Sequence, residues 1–446
     1  MLVRFVVSNF LSFDEEVEFN MLAGSFKTHK EHVYKSSKLD ILKAAAIYGS
    51  NGAGKSNLIK SLEFMQDLII DGEISKSIED KKFKLNSDNQ QKPATFEIEF
   101  TLNSKVYVYG IALKNSIIEE EWLYETFISA DAKKIFERKL DKNNKISIVL
   151  TPKYQKTKKD KLLIELMEEN LLKKNELFIG KTESLKIEEL SQIRDYLEKG
   201  IIIIYPHSKS QSLVPAITTS SKFKSFANEL LSTFDTGVKE LGVESIEIDK
   251  FFGEDDIELK NEIISELENE KSVLLHTNLG GVLIIKEKNK IVVKSVVAIH
   301  QDNKGKEITF DLKMESDGTQ RLLDFIPAID GILQKELTII IDEIDQSLHP
   351  TLLYTLIKKV MSDNSSKGQF IFTTHESNLL DLNIFRQDEI WFVEKDKLKS
   401  CSHLYSLSEF KPRYDLDIRK GYLQGRFGAI PFMADLENLN WGQDGV

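Results

Sequence analysis

Gly49-Ser50-Asn51-Gly52-Ala53-Gly54-Lys55-Ser56, followed by Asn57, fits the pattern G-x-x-x-x-G-K-[ST]. Glycines at these positions let the backbone curl so that successive N–H groups point inward at an anion. Such a loop needs a strand before it and a helix after it. Ala44-Ala45-Ala46-Ile47-Tyr48 supplies a short apolar run, and Leu58, Leu62, Met65 and Ile69 recur beyond the loop at helical spacing. The helix N-terminus adds partial positive charge at the same point. The chemistry implied is a nucleoside triphosphate site, with Lys55 reaching the β- and γ-phosphates and the Ser56 hydroxyl binding Mg²⁺. A chance match in a glycine-containing turn is the bland alternative, and the flanking strand and helix weigh against it.

Working outward from the loop, Thr338-Ile339-Ile340-Ile341-Asp342-Glu343 is an apolar strand ending in two carboxylates. Alone this is a common strand end. In a P-loop protein, Asp342 is placed to hold the magnesium ion and Glu343 to polarise the attacking water. Gln369-Phe370-Ile371-Phe372-Thr373-Thr374-His375 reads as a further buried strand, and His375 at its end reads as a γ-phosphate sensor rather than an ordinary structural histidine. Upstream, Ser316-Asp317-Gly318-Thr319-Gln320 precedes an amphipathic helix carrying Leu322, Ile326, Ile329 and Leu333 on one face. Ser316 or Asp317 can cap that helix, and its free N–H groups form a second anion site. An ordinary capped helix would be the reading if the P-loop were not there.

Taken in order, the motifs resemble those of ABC-type ATPases. Walker A is Gly49 to Ser56, the signature Ser316 to Gln320, Walker B Ile339 to Glu343, the D-loop lies around Asp345, and the switch histidine is His375. The opening Phe5-Val6-Val7-Ser8-Asn9-Phe10-Leu11-Ser12-Phe13 resembles the first strand of RecF, SMC and OLD-type ATPases. Ile390-Trp391-Phe392-Val393-Glu394 and the ending Tyr422-Leu423-Gln424-Gly425-Arg426-Phe427-Gly428-Ala429-Ile430-Pro431 are similar to abortive-infection ATPases of the AbiL and RloA kind. The resemblance is thin between about residues 150 and 275, and it assigns no Q-loop glutamine; Gln90 and Gln91 sit in a polar stretch. It implies an α/β ABC-type head that binds ATP and Mg²⁺. It also implies a homodimer as the minimum unit, or a higher homo-oligomer, with each signature facing the other subunit's P-loop.

Composition sets outer limits. A chain of 446 residues can bury a large core, and 41% hydrophobic content is that of an ordinary soluble protein. No apolar run reaches the length of a membrane span, and Arg4 and Asn9 interrupt the opening apolar stretch, so neither a membrane partner nor a signal peptide is expected. Cys401 is the only cysteine, which excludes an intrachain disulfide and a CxxC zinc hook and fits the reducing cytoplasm. Net charge is −11, from 60 basic and 71 acidic residues, which argues against a body-wide nucleic-acid surface while leaving room for a local patch. The basic run Lys153, Lys156, Lys158, Lys159 and Lys161 reads as a solvated linker.

Three segments are expected: an N-terminal lobe at 1–152 with Walker A and an antiparallel β-subdomain, a mostly helical insertion at 153–275, and a C-terminal lobe at 276–446. In the first, Phe96-Glu97-Ile98-Glu99-Phe100 and Val106-Tyr107-Val108-Tyr109-Gly110 alternate with period two across a turn at Ser104-Lys105. In the second, Leu162, Leu166 and Leu171-Leu172 open a helical stretch that Phe223, Phe226 and Leu230 continue, broken by the buried strand Ile201 to Tyr205, which Pro206 closes. Gly281 to His300 reads as a hairpin turning near Lys288-Asn289, and a strand at Ile308 to Leu312 leads to the signature. No sustained heptads occur, so no long coiled coil is expected.

The resemblance implies a sensor or regulator in bacterial anti-phage defence, triggered by DNA or a phage protein and controlling a separately encoded toxic effector, expected to be a nuclease. Asp388, Glu389, Asp396, Asp415 and Asp417 give no metal-cluster spacing, so no nuclease is read in the chain itself. Arg413, Arg419, Lys420 and Arg426 form either a docking surface or part of a closing subdomain. The main rival is a RecF- or SMC-like DNA repair or chromosome-maintenance ATPase, which would share the head. A transporter subunit is disfavoured by the opening strand and the insertion, and a GTP switch by the lack of an N-K-x-D motif.

Overall fold

The computed structural model describes residues 1–430 except 37, 128–129, 254–255, 278–279, 288–289 and 415. Contacts divide the chain into two compact units. The first comprises residues 1–205, 335–344 and 357–446, and the second residues 206–334 and 345–356. The segment 153–275 is therefore shared between them.

In the first unit, two sheets carry the fold. A six-stranded sheet runs in the order Ile201–Ile204, Thr338–Ile341, Gln369–Thr374, Ala44–Tyr48, Ile390–Lys395 and Ser402–Ser406. All its pairs are parallel except the last. The central strands are apolar without alternation because both faces are covered, and every residue of Ala44–Tyr48, Thr338–Ile341 and Gln369–Thr374 is buried. Register places Ile341 beside Phe372 and Thr374 beside Tyr48, so the three motif-bearing strands end together. This is the expected α/β P-loop head. The edge strand departs from expectation: it is only partly buried, with Ile202 39% exposed, because it has a neighbour on one side alone.

The second sheet is the expected antiparallel β-subdomain. Its seven strands run Ile146–Leu150, Ala130–Leu140, Ile117–Phe127, Lys105–Lys114, Ala94–Leu102, Leu2–Ser8 and Val17–Asn20. Ala94–Leu102 alternates buried and half-buried as its sequence reads. Lys105–Lys114 does not: its eight interior residues are all buried. The Trp122 ring lies where a Gly110 side chain would stand and so covers the expected open face. The turn between these strands is Asn103-Ser104, both left-handed, and Lys105 already belongs to the strand.

Helix Lys55–Asp71 buries all four expected residues, Leu58, Leu62, Met65 and Ile69, and ends at Gly72, whose φ of 73° and N–H bond to Leu68 O close it. The helix at Lys158–Leu166 inverts its expected face. Ile164 and Met167 are buried, whereas Leu162, Leu166 and Leu171 are 54%, 40% and 53% exposed. A wide helical turn at Met167–Leu171 precedes buried Leu172 and breaks the spacing that would have aligned the leucines.

The second unit holds a sheet ordered Glu240–Glu247, Lys290–Gln301, Gly280–Glu287 and Ser272–Thr277, with Glu307–Asp311 also paired to Lys290–Gln301. The expected hairpin is present, and its turn at Lys288-Asn289 lies outside the described residues. Helix Ile257–Asn269 packs Ile263 and Leu267 against Val282, Ile284 and Val293 of this sheet. Helices Leu213–Thr219, Ser221–Thr233, Ile248–Phe252 and Asp317–Gln334 also belong to the unit. Among the described residues no helix is long and apolar enough to cross a membrane.

Candidate functional site

The loop 49–54 leaves the buried strand Ala44–Tyr48 and enters helix Lys55–Asp71. Gly54 has φ 115°, a conformation that L side chains rarely adopt, and a Cβ there would lie 2.9 Å from Ser12 Oγ and collide with Ser402 Oγ. A Cβ on Gly49 would stand 2.5 Å from Val393 O. These glycines allow the loop to close tightly on its supports. The supports are two serines that motif reading missed. Ser402 Oγ donates to Ala53 O at 2.6 Å and lies 2.8 Å from Ser12 Oγ, and Asn57 Nδ2 donates to Ser12 Oγ at 2.9 Å.

Inside the loop, Lys55 is 5% exposed. Its Nζ donates to Gly49 O at 2.9 Å and lies 2.9 Å from His375 Nε2. The walls of a cleft of about 310 Å³ are Ser50, Asn51, Gly52, Gly54, Lys55, Ser56, Asn57, Glu343 and His375. The loop 50–57, Glu343 and His375 therefore line one cavity within one compact unit.

Thr373 organises the two carboxylates. Its hydroxyl donates to Asp342 Oδ1 at 2.5 Å and accepts the Glu343 N–H at 2.7 Å, while its carbonyl accepts from Ile344 N at 3.0 Å. Asp342 is 3% exposed, and Glu343 has φ 49°, a left-handed conformation unusual for glutamate. Backbone in sparsely populated regions persists where its surroundings over-determine it, and it clusters at working sites. Here the parallel pairing of Thr338–Ile341 with Gln369–Thr374 provides that constraint.

This arrangement fits a magnesium nucleotide. The buried Asp342 carboxylate and the Ser56 hydroxyl are hard oxygen donors of the kind Mg²⁺ prefers. Lys55, a buried cation with its ammonium among backbone carbonyls at the loop's centre, meets the need of a polyphosphate for a positive partner.

The signature residues and Asp345 belong to the second unit. Ser316 caps helix Asp317–Gln334: its Oγ accepts from Thr319 N at 3.2 Å and lies 2.9 Å from Thr319 Oγ1. Asp317 instead opens the helix as its first residue. Gln320 Nε2 donates to Glu315 O at 2.9 Å, which folds its side chain back along the turn. A Cβ on Gly318 would lie 3.0 Å from Ser347 O, so the turn rests against the backbone that follows Asp345. Ser347 is itself left-handed, at φ 64°.

Comparison with known proteins adds a family. The model described as "AAA domain, putative AbiEii toxin, Type IV TA system" matches residues 44–381, which include the cleft residues and the turn at 316–320. No curated protein sequence matches the chain. Among solved structures it is similar to an SMC head bound to the C-winged helix domain of ScpA, at 15% identity over 92% of this chain and 99% of that one, with a TM-score of 0.45. It is also similar to the SMC head domain from Thermotoga maritima, at 13% identity over 91% and 98%, with a TM-score of 0.39. A Smc head with an extended coiled coil, bound to the C-terminal domain of ScpA and derived from Pyrococcus furiosus, gives 15% identity over 92% and 97%, with a TM-score of 0.40.

Proposed function

The chain belongs to the AAA-domain family whose model it matches over residues 44–381, and from that footing we propose that it is a Mg²⁺-dependent ATPase acting as the sensor or regulator of a bacterial anti-phage abortive-infection system. It works as a homodimer or a larger homo-oligomer on a separately encoded toxic effector, a nuclease. The observation that supports ATP hydrolysis most directly is the lining of one cleft by Lys55, Ser56, Glu343 and His375.

In this reading the loop amides and Lys55 hold the β- and γ-phosphates, and Ser56 and Asp342 hold the metal. Bound Mg²⁺ neutralises charge on the phosphate oxygens. Glu343 accepts a hydrogen bond from the attacking water and orients it toward the γ-phosphorus, as a general base or water-positioning group does. His375 places a ring nitrogen beside Lys55, where it can report whether the γ-phosphate is present. The Thr373 hydroxyl keeps Asp342 and Glu343 aimed while the phosphates change.

The role in defence draws support from the family description, which calls the AAA domain itself a "putative AbiEii toxin" of a "Type IV TA system". Our reading assigns toxicity to the partner. The test expresses the chain alone, its neighbouring gene alone and the two together, with and without phage, alongside phosphate release by the purified chain. Growth arrest that requires the neighbour, and that responds to Glu343→Gln, is the expected result. Arrest caused by this chain alone, or nucleic-acid cleavage by the pure protein that is lost on changing its own acidic residues, would overturn it.

A further inference from the structure

Away from the cleft, the turn His29-Lys30-Glu31-His32 gathers three potential metal ligands. His29 Nδ1 lies 3.4 Å from Glu31 Oε1, and His32 Nε2 lies 4.0 Å from the same oxygen. All three ligand atoms fall within 4.8 Å of one another. The other nitrogen of each ring is already engaged. His29 Nε2 lies 2.9 Å from Leu382 O. His32 Nδ1 lies 3.0 Å from both oxygens of Glu389, a residue with no exposure, whose Oε2 also accepts from Arg386 N at 2.7 Å.

These outer bonds fix which nitrogen carries the proton. A carbonyl only accepts, so neutral His29 is protonated on Nε2 and presents a lone pair at Nδ1. Glu389 accepts in the same way, so neutral His32 is protonated on Nδ1 and presents a lone pair at Nε2. Two lone pairs and the Glu31 carboxylate then lie in one cluster; the two rings stack, with 4.8 Å between centroids and 20° between planes, so the partly exposed His29 ring must swing to bring both lone pairs onto one ion. Histidines held by an outer carbonyl or carboxylate are the usual form of metal-ligating histidines. Tetrahedral Zn²⁺ with bonds of about 2.0–2.1 Å sets its ligands about 3.3 Å apart, so the cluster, whose ligand atoms lie within 4.8 Å of one another, has to tighten by up to about 1.5 Å.

We propose that His29 Nδ1, Glu31 Oε1 and His32 Nε2 bind one divalent transition-metal ion of the zinc type, with a fourth position open to water. Glu31 is 39% side-chain exposed and His29 20%, so solvent reaches the site, while His32 at 3% anchors it in the core. The ion would reinforce a join that protein groups already make. Arg386 Nη2 donates to Gly24 O at 2.8 Å, and Gly24 N donates to Asp388 Oδ2 at 2.7 Å. The site thus ties the turn at 29–32 to the segment that leads into strand Ile390–Lys395, the neighbour of the P-loop strand.

The experiment uses the full chain, chelator-treated and desalted, titrated with Zn²⁺ by calorimetry and with Co²⁺ by visible absorption. The expected result is one ion per chain, with a Zn²⁺-dependent rise in Tm. His29→Ala and Glu31→Gln, both at accessible positions, should each weaken binding by about 10-fold or more and abolish that rise. Cys401 Sγ, 3.3 Å from His403 Nε2, is the competing donor pair; Cys401→Ser should bind like the parent. The proposal is overturned by any of three results. These are failure of Zn²⁺ to bind at stoichiometric level, unchanged retention of the ion by both variants, and a thiolate band in the cobalt spectrum that Cys401→Ser removes together with the ion.

Discussion

The Thr373 hydroxyl bonds both the Asp342 carboxylate and the backbone N–H of Glu343, and that makes it the residue whose loss is most informative. Thr373→Val keeps the shape of the strand and removes both bonds. Nucleotide contacts at Lys55 are untouched, so ATP affinity should change by no more than about threefold, while kcat should fall about 100-fold, the scale of losing one positioning contact. Thr373→Ser should restore most of the rate; steady-state phosphate release with calorimetric ATP titration checks both values. Lys55→Ala is expected to behave oppositely. It removes the buried ammonium from the loop, and ATP binding should weaken by about 2–5 kcal/mol, the cost of truncating a buried charge pair. These contrasts mirror what was legible in the sequence. Gly49 to Ser56, Asp342, Glu343 and His375 could be read because phosphate and metal chemistry demands fixed residue types at fixed spacing. Thr373, Ser12 and Ser402 could not, because a lone hydroxyl carries no spacing signal. Ser12 and Ser402 meet across 390 positions of chain, a contact that only the folded sheet creates. The left-handed backbone at Glu343 was equally silent, since nothing in its neighbours forbids an ordinary strand end.

Among the elements, the antiparallel sheet is held to its surroundings by buried charge. Glu121 has no exposure and accepts from Phe178 N at 2.6 Å, Ile179 N at 3.0 Å and Tyr109 OH at 3.1 Å. Burial pushes its carboxyl pKa upward, and the two N–H groups, Arg138 and Tyr109 oppose that push. Arg138, also without exposure, donates to Ile118 O and to Lys174 O. Glu121→Ala strands the two N–H groups and the Arg138 charge, and should destabilise the fold by about 3–5 kcal/mol, measurable by urea denaturation. Glu189 makes a pH-dependent tie between helix Glu188–Lys199 and the same sheet. Burial alone would raise its pKa, but hydrogen bonds from Lys105, Lys153 and Tyr107 outweigh that and bring it down to about 2. Its folded value lies below the ordinary 4.5, so its contribution to stability is complete above about pH 4.5 and is lost as pH falls toward 2. The stability difference between the parent and Glu189→Gln should therefore shrink across that window in denaturant melts. The sheets themselves were largely legible, since unbroken apolar runs and period-two alternation encode burial on two faces or one. The exposed leucines of Lys158–Leu166 were not, because a helix with apolar residues on several sides does not say which side meets the core.

For the whole molecule, the decisive matter is whether one chain can complete its own site. The signature turn sits in the second compact unit and the P-loop in the first, and the resemblance to ABC-type ATPases assigns the signature to the partner's nucleotide. A homodimer then has two composite sites, each built from one P-loop and one foreign Ser316–Gln320 turn. Gly318 has room for little more than hydrogen, since a Cβ would stand 3.0 Å from Ser347 O. Gly318→Asp adds both bulk and a carboxylate facing phosphate, so Gly318→Ala is the necessary companion that separates packing from charge. Neither Lys55→Ala nor Gly318→Asp should hydrolyse ATP alone. The first lacks nucleotide at both sites, and the second binds nucleotide but cannot close on it. In an equal mixture, about half the dimers should be mixed by random pairing, and each of these has one site free of both changes while its other site carries both. Phosphate release at about a quarter of the parent rate is therefore expected if one intact site fires independently. The ATP-bound Glu343→Gln protein should sediment as a dimer and its Gly318→Asp counterpart as a monomer. A parent chain that hydrolyses ATP at full rate while remaining monomeric in the same sedimentation run would place both halves of the site in one subunit and remove the need for a partner copy.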